Sequence, residues 1–296
     1  MRYRAGGANR RAGRTDPARC RSQVMQLLNC WLRDRSVTER VLDLGCGTGS
    51  LGSELAGLQV IAVDNDPGSL AKNPSDWRVR SESNQLPFSD ESFSLVICHH
   101  SLEHFSDIEG AIDEIRRVLK PAGRLFVTVP DGMSFTDRLY RLLFCGGGHI
   151  QRFTFDGAVW AIEAGTELHL VAWQELFSSF IFVDKTNFLP GRRDGQSRSA
   201  LPRRMRWLGR LPGWCFGVAR ILLNAGTRLL DRCLDTHLSR YGWVLAFAPE
   251  VTPLKIEQGT PNVCMSCGSG IDNLPRRRFI YRLYRCPVCS SWNIAF

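Results

Sequence analysis

Three groups of residues in this 296-residue chain have the types and spacing to do chemistry. The first is VLDLGCGTG at positions 41–49, where Gly45, Gly47 and Gly49 punctuate a turn. Glycine there removes side chains where a ligand must touch backbone, and it tolerates positive φ in a tight turn. The second is CHHSLEH at 98–104, joined by His149 within GGGHI at 146–150. An imidazole takes up a proton near neutral pH, so His99, His100 and His149 are candidate general bases, with His104 and Asp131 behind them. The third is a pair of C-x2-C knuckles, Cys264/Cys267 and Cys286/Cys289, with 18 residues between them. That spacing suits a four-thiolate zinc site, which is closed and therefore structural.

The elements that must position these groups can be read around them. Residues 41–44 form a short apolar strand running straight into the glycine turn, and residues 50–56 suit a helix whose free N-terminal amides face a ligand. A strand, a glycine-rich turn and a helix make the nucleotide-cradling corner of a doubly wound α/β sheet. The string GTGSLG at 47–52 also fits the dinucleotide pattern, but there the first glycine follows the strand directly. Here that residue is Gly45, whose sixth position is Ser50. Asp43 in the strand end would repel a pyrophosphate, whereas it suits a ligand with a cationic amino group nearby. Further strands are expected at 60–64, 93–98, within 114–130 after a helix and a Pro/Gly turn, at 166–173 and at 241–249.

These blocks resemble class I S-adenosylmethionine (SAM) methyltransferases of the type 11 kind. The turn DLGCGTG, the second strand ending in Asp64, the LPF stretch at 86–88 and the EIRRVLKPAGRLFVTVP block at 114–130 carry the resemblance, which covers about residues 38–173 plus the last strand. It implies a mostly parallel seven-stranded sheet and SAM contacts from Asp43, Gly45, Cys46, Gly47, Gly49, Asp64, Asn65, Glu82 and His99. Asp64 would accept hydrogen bonds from ribose hydroxyls. Glu82 stands where the family usually has Asp against the adenine amino group. The NPP[YF] signature of base amino-group methylation does not follow the fourth strand.

Charge is divided along the chain. Residues 1–22 carry +6, residues 23–199 carry −6, residues 200–240 carry +6, residues 241–261 carry −1 and residues 262–296 carry +4, for a net +9. The basic excess thus lies outside an acidic core, which suits contact with a polyanion or an anionic membrane through the appended parts, or simply Arg-rich solvated segments. The expected organisation is a basic tail at 1–22, a methyltransferase domain at 23–250 with a helical insert at about 190–240, and a zinc ribbon at 262–296. The ribbon, with few apolar residues, would fold on metal binding, two disulfides being the other reading of its four cysteines.

Within the insert, a helix is expected from 214 to about 237. Cys215, Val218, Leu222, Ala225, Leu229 and Cys233 lie along one stripe, and Arg220, Asn224, Arg228, Asp231, Arg232 and Asp235 opposite. Such a helix packs on its own domain, covers an apolar substrate as a lid, or lies at a membrane surface. No apolar run is long enough to span a membrane, and no secretory leader is visible, so the cytoplasm is the expected location. The expected function is methyl transfer from SAM to a small or lipid-linked acceptor. Two others stay open: an RNA methyltransferase gripping phosphate through the ribbon and Arg-rich segments, and a SAM-binding adaptor that recruits a protein partner without turnover.

Overall fold

The computed structural model describes residue 28, residues 40–51, 55, 58–144, 148–180, 182–188, 203–250, 264, 282–286 and 290–295. The expected basic tail at 1–22 and most of the segment at 50–56 lie outside them, as do Cys267 and Cys289.

Seven strands form one sheet in the order β3-β2-β1-β4-β5-β7-β6. They are β1 (Val41–Leu44), β2 (Val60–Asp64), β3 (Trp77–Arg80), β4 (Phe93–His99), β5 (Leu119–Pro130), β6 (His169–Phe177) and β7 (Arg240–Ala248). β7 runs antiparallel to both β5 and β6, while the pairs from β3 through β5 are parallel. Strands buried on both faces read as continuous apolar runs, and β1 and most of β4 show this. Their side chains alternate between two cores. Leu42, Leu44, Val96 and Cys98 face one, and Val41, Leu95 and Ile97 face the other.

The first core is closed by α1 (Ile108–Val118) and α3 (Phe155–Thr166). Helix α1 starts where the Asp107 carboxylate accepts the Gly110 amide at 3.0 Å, and it buries Ala111, Ile112, Ile115 and Val118 at helical spacing. Its Arg117 donates to the Glu114 and Asp90 carboxylates and to the Phe88 and Leu86 carbonyls, which pins the 82–92 loop. Between α1 and α3 runs α2 (Phe135–Phe144).

Two boundaries differ from the sequence expectation. Lys120, Pro121, Ala122 and Gly123 bulge from the β4 pairing, since Phe93 faces Leu119 while Leu95 faces Arg124. Thr166 ends α3 rather than opening β6, its hydroxyl bonded back to the Ile162 carbonyl at 2.6 Å. β6 starts three residues later.

The insert contains α4 (Gly213–Leu234). This helix packs through Phe216, Ala219 and Leu223 onto an aromatic cluster of Phe144, Phe180, Phe182 and Phe188. Its Asn224 side chain donates to the Ser179 carbonyl at 3.1 Å, and Asn224, Thr227 and Arg228 are buried. The outward face is instead the apolar stripe: Trp214 is 71% exposed, Leu222 66% and Leu234 65%, with Val218, Ile221, Leu229 and Leu230 also open to solvent. No helix of the described residues is long and apolar enough to cross a membrane.

Near the C-terminus, β8 (Arg282–Arg285) and β9 (Trp292–Ala295) pair antiparallel. The turn between them holds Cys286, whose amide donates to the Ser291 carbonyl and whose carbonyl accepts the Ser290 amide, each at 2.8 Å. Cys264 and Cys286 are buried.

Candidate active site

The strand order reverses direction between β1 and β4, and ligands of such sheets sit beyond the strand C-termini at that point. A cavity of about 730 Å³ opens there. Its floor is the glycine turn, with φ of +72° at Gly45, +52° at Gly47 and +86° at Gly49. A Cβ on Gly45 would lie 2.4 Å from the Cβ of Ser101, so only glycine lets β1 and the segment after β4 come this close. Ser101 completes the contact by donating to the Leu44 carbonyl at 2.8 Å.

Asp64 ends β2 as an organiser of this floor. Its carboxylate accepts the Gly47 amide at 2.8 Å and the Asp66 amide at 2.9 Å. Asn65 beside it donates to Glu82 at 3.1 Å. Gly45, Gly47, Asp64, Asn65 and Glu82 all line the cavity, joined by Asp66, Ser83 and Asn84. Asp43, Cys46, Gly49 and His99 of the expected cofactor contacts do not line it. Asp43 is buried beneath the turn, Cys46 directs its thiol toward the Gly47 carbonyl, and Gly49 packs on Pro74. His99 is turned into the protein with its Nδ1 buried and unbonded. Burial, then the adjacent His100, keeps its pKa well below the usual imidazole value, so it stays neutral.

Burial, then the charge of Asp64, pushes the Asp43 carboxyl up to about 7. A carboxyl whose pKa is raised on folding binds its proton more tightly in the folded state, so it adds stability as pH falls toward its unfolded pKa and loses it as pH rises through about 7. The melting temperature of the ligand-free protein should therefore rise between pH 8 and pH 5.5. Asp43→Asn should flatten that slope in thermal melts across the range. An unchanged slope would assign the proton to another group.

The far wall of the cavity is aromatic: Tyr140 and Phe144 from α2, and Phe182 ahead of the insert. Between floor and wall stands His100. It adopts φ +52°, in the left-handed region where histidine is several-fold enriched among non-glycine residues. Its Nε2 lies 3.1 Å from the Tyr241 hydroxyl and its Nδ1 3.6 Å from Glu103. Beneath it a second hollow of about 200 Å³ is shared by His100, Glu103, Asp137, Tyr140, His149 and Tyr241. His149 sits there with its Nδ1 2.8 Å from Asp137 and its ring stacked on Tyr140 at 5.1 Å. Although burial works against it, hydrogen bonds from His149 and Arg141 hold Asp137 below the usual carboxylate range. Asp131, a further candidate, caps the turn into α2 by accepting the Met133 amide and does not reach either hollow.

The structure thus brings His100, His104 and His149 to one end of the cavity and sets His99 apart. Asp137 and Tyr241 escape a reading of the sequence alone. The signal for Asp137 is its i,i+4 pairing with Arg141 on α2. Tyr241 carries none, because β7 reaches β5 only through the long insert.

The residues fit SAM in kind. The floor offers backbone at two positive-φ glycines, an acidic strand end for a diol at Asp64, and a carboxylate beneath, Asp43, that gains from a cationic neighbour. Residues 42–127 match the family model described as a methyltransferase domain. The chain is 32% identical over 145 residues to the ubiquinone biosynthesis O-methyltransferase of Xanthomonas oryzae pv. oryzae, which spans 45% of this chain and 59% of the relative. It is 37% identical over 95 residues to the demethylmenaquinone methyltransferase of Beutenbergia cavernae, spanning 30% of this chain and 40% of that one. It therefore covers about half the length of these relatives. Among solved structures, one assigned to a methyltransferase of an antibiotic biosynthesis pathway in Anabaena variabilis superposes with a TM-score of 0.53 at 16% identity, over 79% of this chain and 99% of that one. Another from Bacillus halodurans gives 0.51 at 16%, over 78% and 99%. At that identity the likeness shows the fold. The segment from β1 into β5, with the glycine turn and the loop after β4, is thus a SAM-dependent methyltransferase domain of the class I fold.

Proposed function

We propose that this protein transfers a methyl group from SAM to a hydroxyl oxygen of a small, apolar, ring-bearing acceptor. One observation carries the reading: a single cavity runs from the glycine floor past His100 to the wall of Tyr140, Phe144 and Phe182. Bound SAM supplies an electrophilic methyl on a sulfonium, whose C–S bond breaks as the acceptor oxygen forms the C–O bond, the electron pair returning to sulfur. The chain's own work is alignment and proton removal. Gly45 and Gly47 bring backbone against the cofactor, and the aromatic wall orients a planar acceptor. His100 Nε2 takes the acceptor proton, its ring held by Glu103 on one side and stacked on Tyr241. The quinone-pathway names of the relatives are consistent with such an acceptor.

The proposal extends to where the acceptor comes from. The exposed stripe of α4, with Trp207 also open to solvent nearby in the chain, suits an interface that delivers a lipid-phase molecule to the adjoining aromatic cluster. It also includes the four-thiolate zinc at Cys264, Cys267, Cys286 and Cys289, supported by the buried Cys264 and by Cys286 in a hairpin turn.

The test is to supply methyl-tritiated SAM with a lysate and separate lipid, RNA, protein and small-molecule fractions. Label is expected in the organic-extractable fraction. Label in RNA would replace this reading by the nucleic-acid one, and SAM binding without any label would leave an adaptor. In parallel, the full chain should sediment with anionic liposomes, and Leu222→Glu with Leu229→Glu should release it by tenfold or more. Equal sedimentation of the double variant would remove α4 from the membrane role.

A further inference from the structure

Around the second hollow, beside His100, a nitrogen of His104, a nitrogen of His149 and a carboxylate oxygen of Glu103 lie within 4.8 Å of one another. Hydrogen bonds fix the tautomer of both imidazoles. The Nδ1 of His104 faces the Gly148 carbonyl at 2.9 Å, and that of His149 faces the Asp137 carboxylate at 2.8 Å. Both partners only accept, so each Nδ1 carries the hydrogen and each Nε2 is left with its lone pair. Glu103 is 1% exposed, and its Oε2 is buried without a hydrogen bond. A buried carboxylate oxygen without a donor is costly. Positive charge among the three groups would offset that cost.

We propose that Glu103, His104 and His149 bind one divalent first-row metal ion, such as Mn2+, Fe2+, Co2+ or Zn2+. Two imidazoles and one carboxylate are the donor set of such ions, with coordination positions left open. The outer shell is in place as well. Asp137 orients His149 and the Gly148 carbonyl orients His104, the arrangement that fixes the ring and raises ligand basicity. Bonds of about 2.1 Å from one tetrahedral ion set its ligand atoms about 3.4 Å apart, so the three atoms need to close by roughly an ångström. His149 belongs to the stretch between α2 and α3, and His104 is on the exposed side of the cluster, so each has room to close.

The ion would sit in the hollow where the acceptor end of the cavity meets Tyr241 and His100. Its open positions would take acceptor oxygen, lowering that oxygen's pKa and holding it for attack. This use rests on the methyl-transfer reading given above, whereas the site itself rests on the three side chains and their outer partners. It is separate from the cysteine knuckles, which offer sulfur alone.

Mn2+ tests the site because it favours nitrogen and oxygen donors over thiolates. Titrated into zinc-replete full-length protein without SAM or acceptor, and followed by the loss of the free-ion paramagnetic resonance signal, one Mn2+ per chain should bind. His149→Ala, Glu103→Gln and the exposed His104→Ala should each weaken it by tenfold or more, and Asp137→Asn by about 10–100-fold. Cys286→Ser should leave it unchanged. Retention of no Mn2+ at millimolar concentration would overturn the site, leaving a shared proton to satisfy Glu103. So would equal affinity in His104→Ala and Glu103→Gln. Mn2+ binding by a protein that labels no acceptor would sink the methyl-transfer reading and leave the site standing.

Discussion

Gly45→Ala should weaken SAM binding by roughly 100-fold or more, close to loss of measurable binding by calorimetry. Two costs add. Alanine at φ +72° occupies the left-handed region, at about 1–3 kcal/mol. Its methyl would also stand 2.4 Å from the Ser101 Cβ, and relief of that overlap must move the segment after β4 away from β1. The cradle depends on that approach, since the Ser101 hydroxyl bonds to the Leu44 carbonyl and both residues line the cavity. Because Gly45→Ala also strains the fold, Asp64→Asn is the companion variant. It keeps the side-chain size but removes the charge and one of the two oxygens that hold the Gly47 and Asp66 amides, and it should weaken SAM by about tenfold or more. SAM affinity equal to that of the natural protein in both variants would remove the cofactor from this cavity.

The cradle was legible in the sequence because its requirement is local. Alternate glycines directly after an apolar strand, with an acid at the end of the next strand, determine backbone course and ligand chemistry within about 25 residues. The acceptor end was not, because its groups arrive from separate elements. Glu103 and His104 follow β4, Asp137 lies on α2, His149 follows α2, and Tyr241 opens β7. Only the sheet order, with β7 inserted between β5 and β6, brings Tyr241 beside His100.

Helix α4 shows a different limit. Its periodicity sets Val218, Leu222 and Leu229 apart from Asn224 and Arg228, but periodicity does not say which face is covered. Asn224 donates through its Nδ2 to the Ser179 carbonyl as well as to the Arg220 carbonyl of its own helix, and the Thr227 hydroxyl turns back to Leu223, so these donors are satisfied inside. Arg228 is buried beside Tyr284 of the C-terminal hairpin, with burial drawing its pKa down to about 10. Leu222, Leu229, Leu230 and Leu234 are left outside. Apolar surface left in water in this way forgoes the stabilisation that burial would give.

His100→Asn should lower kcat by roughly 10²–10⁴-fold while SAM affinity changes by less than about threefold. Asparagine is chosen because it tolerates the left-handed backbone that this position adopts, so the variant removes the imidazole without adding the strain that leucine or alanine would. The amide of residue 100 donates to the Thr128 carbonyl at 3.0 Å and keeps doing so in the variant, which preserves the β4–β5 edge of the cavity. Tyr241→Phe separates proton removal from positioning. Its hydroxyl lies 3.1 Å from His100 Nε2, and burial, then the charge of Glu103, raises its pKa above the usual phenol value, so it is not ionised at neutral pH. A phenol held protonated against the imidazole positions the ring or the acceptor, and its loss should cost tenfold or less. Single-turnover rates with saturating SAM measure both variants at the chemical step. A His100→Asn rate within threefold of the natural protein would move the proton to another group, and His149, already oriented by Asp137, is the one the geometry supplies. That outcome would also bear on the metal, because an imidazole that accepts the acceptor's proton cannot at the same time hold an ion through the same nitrogen.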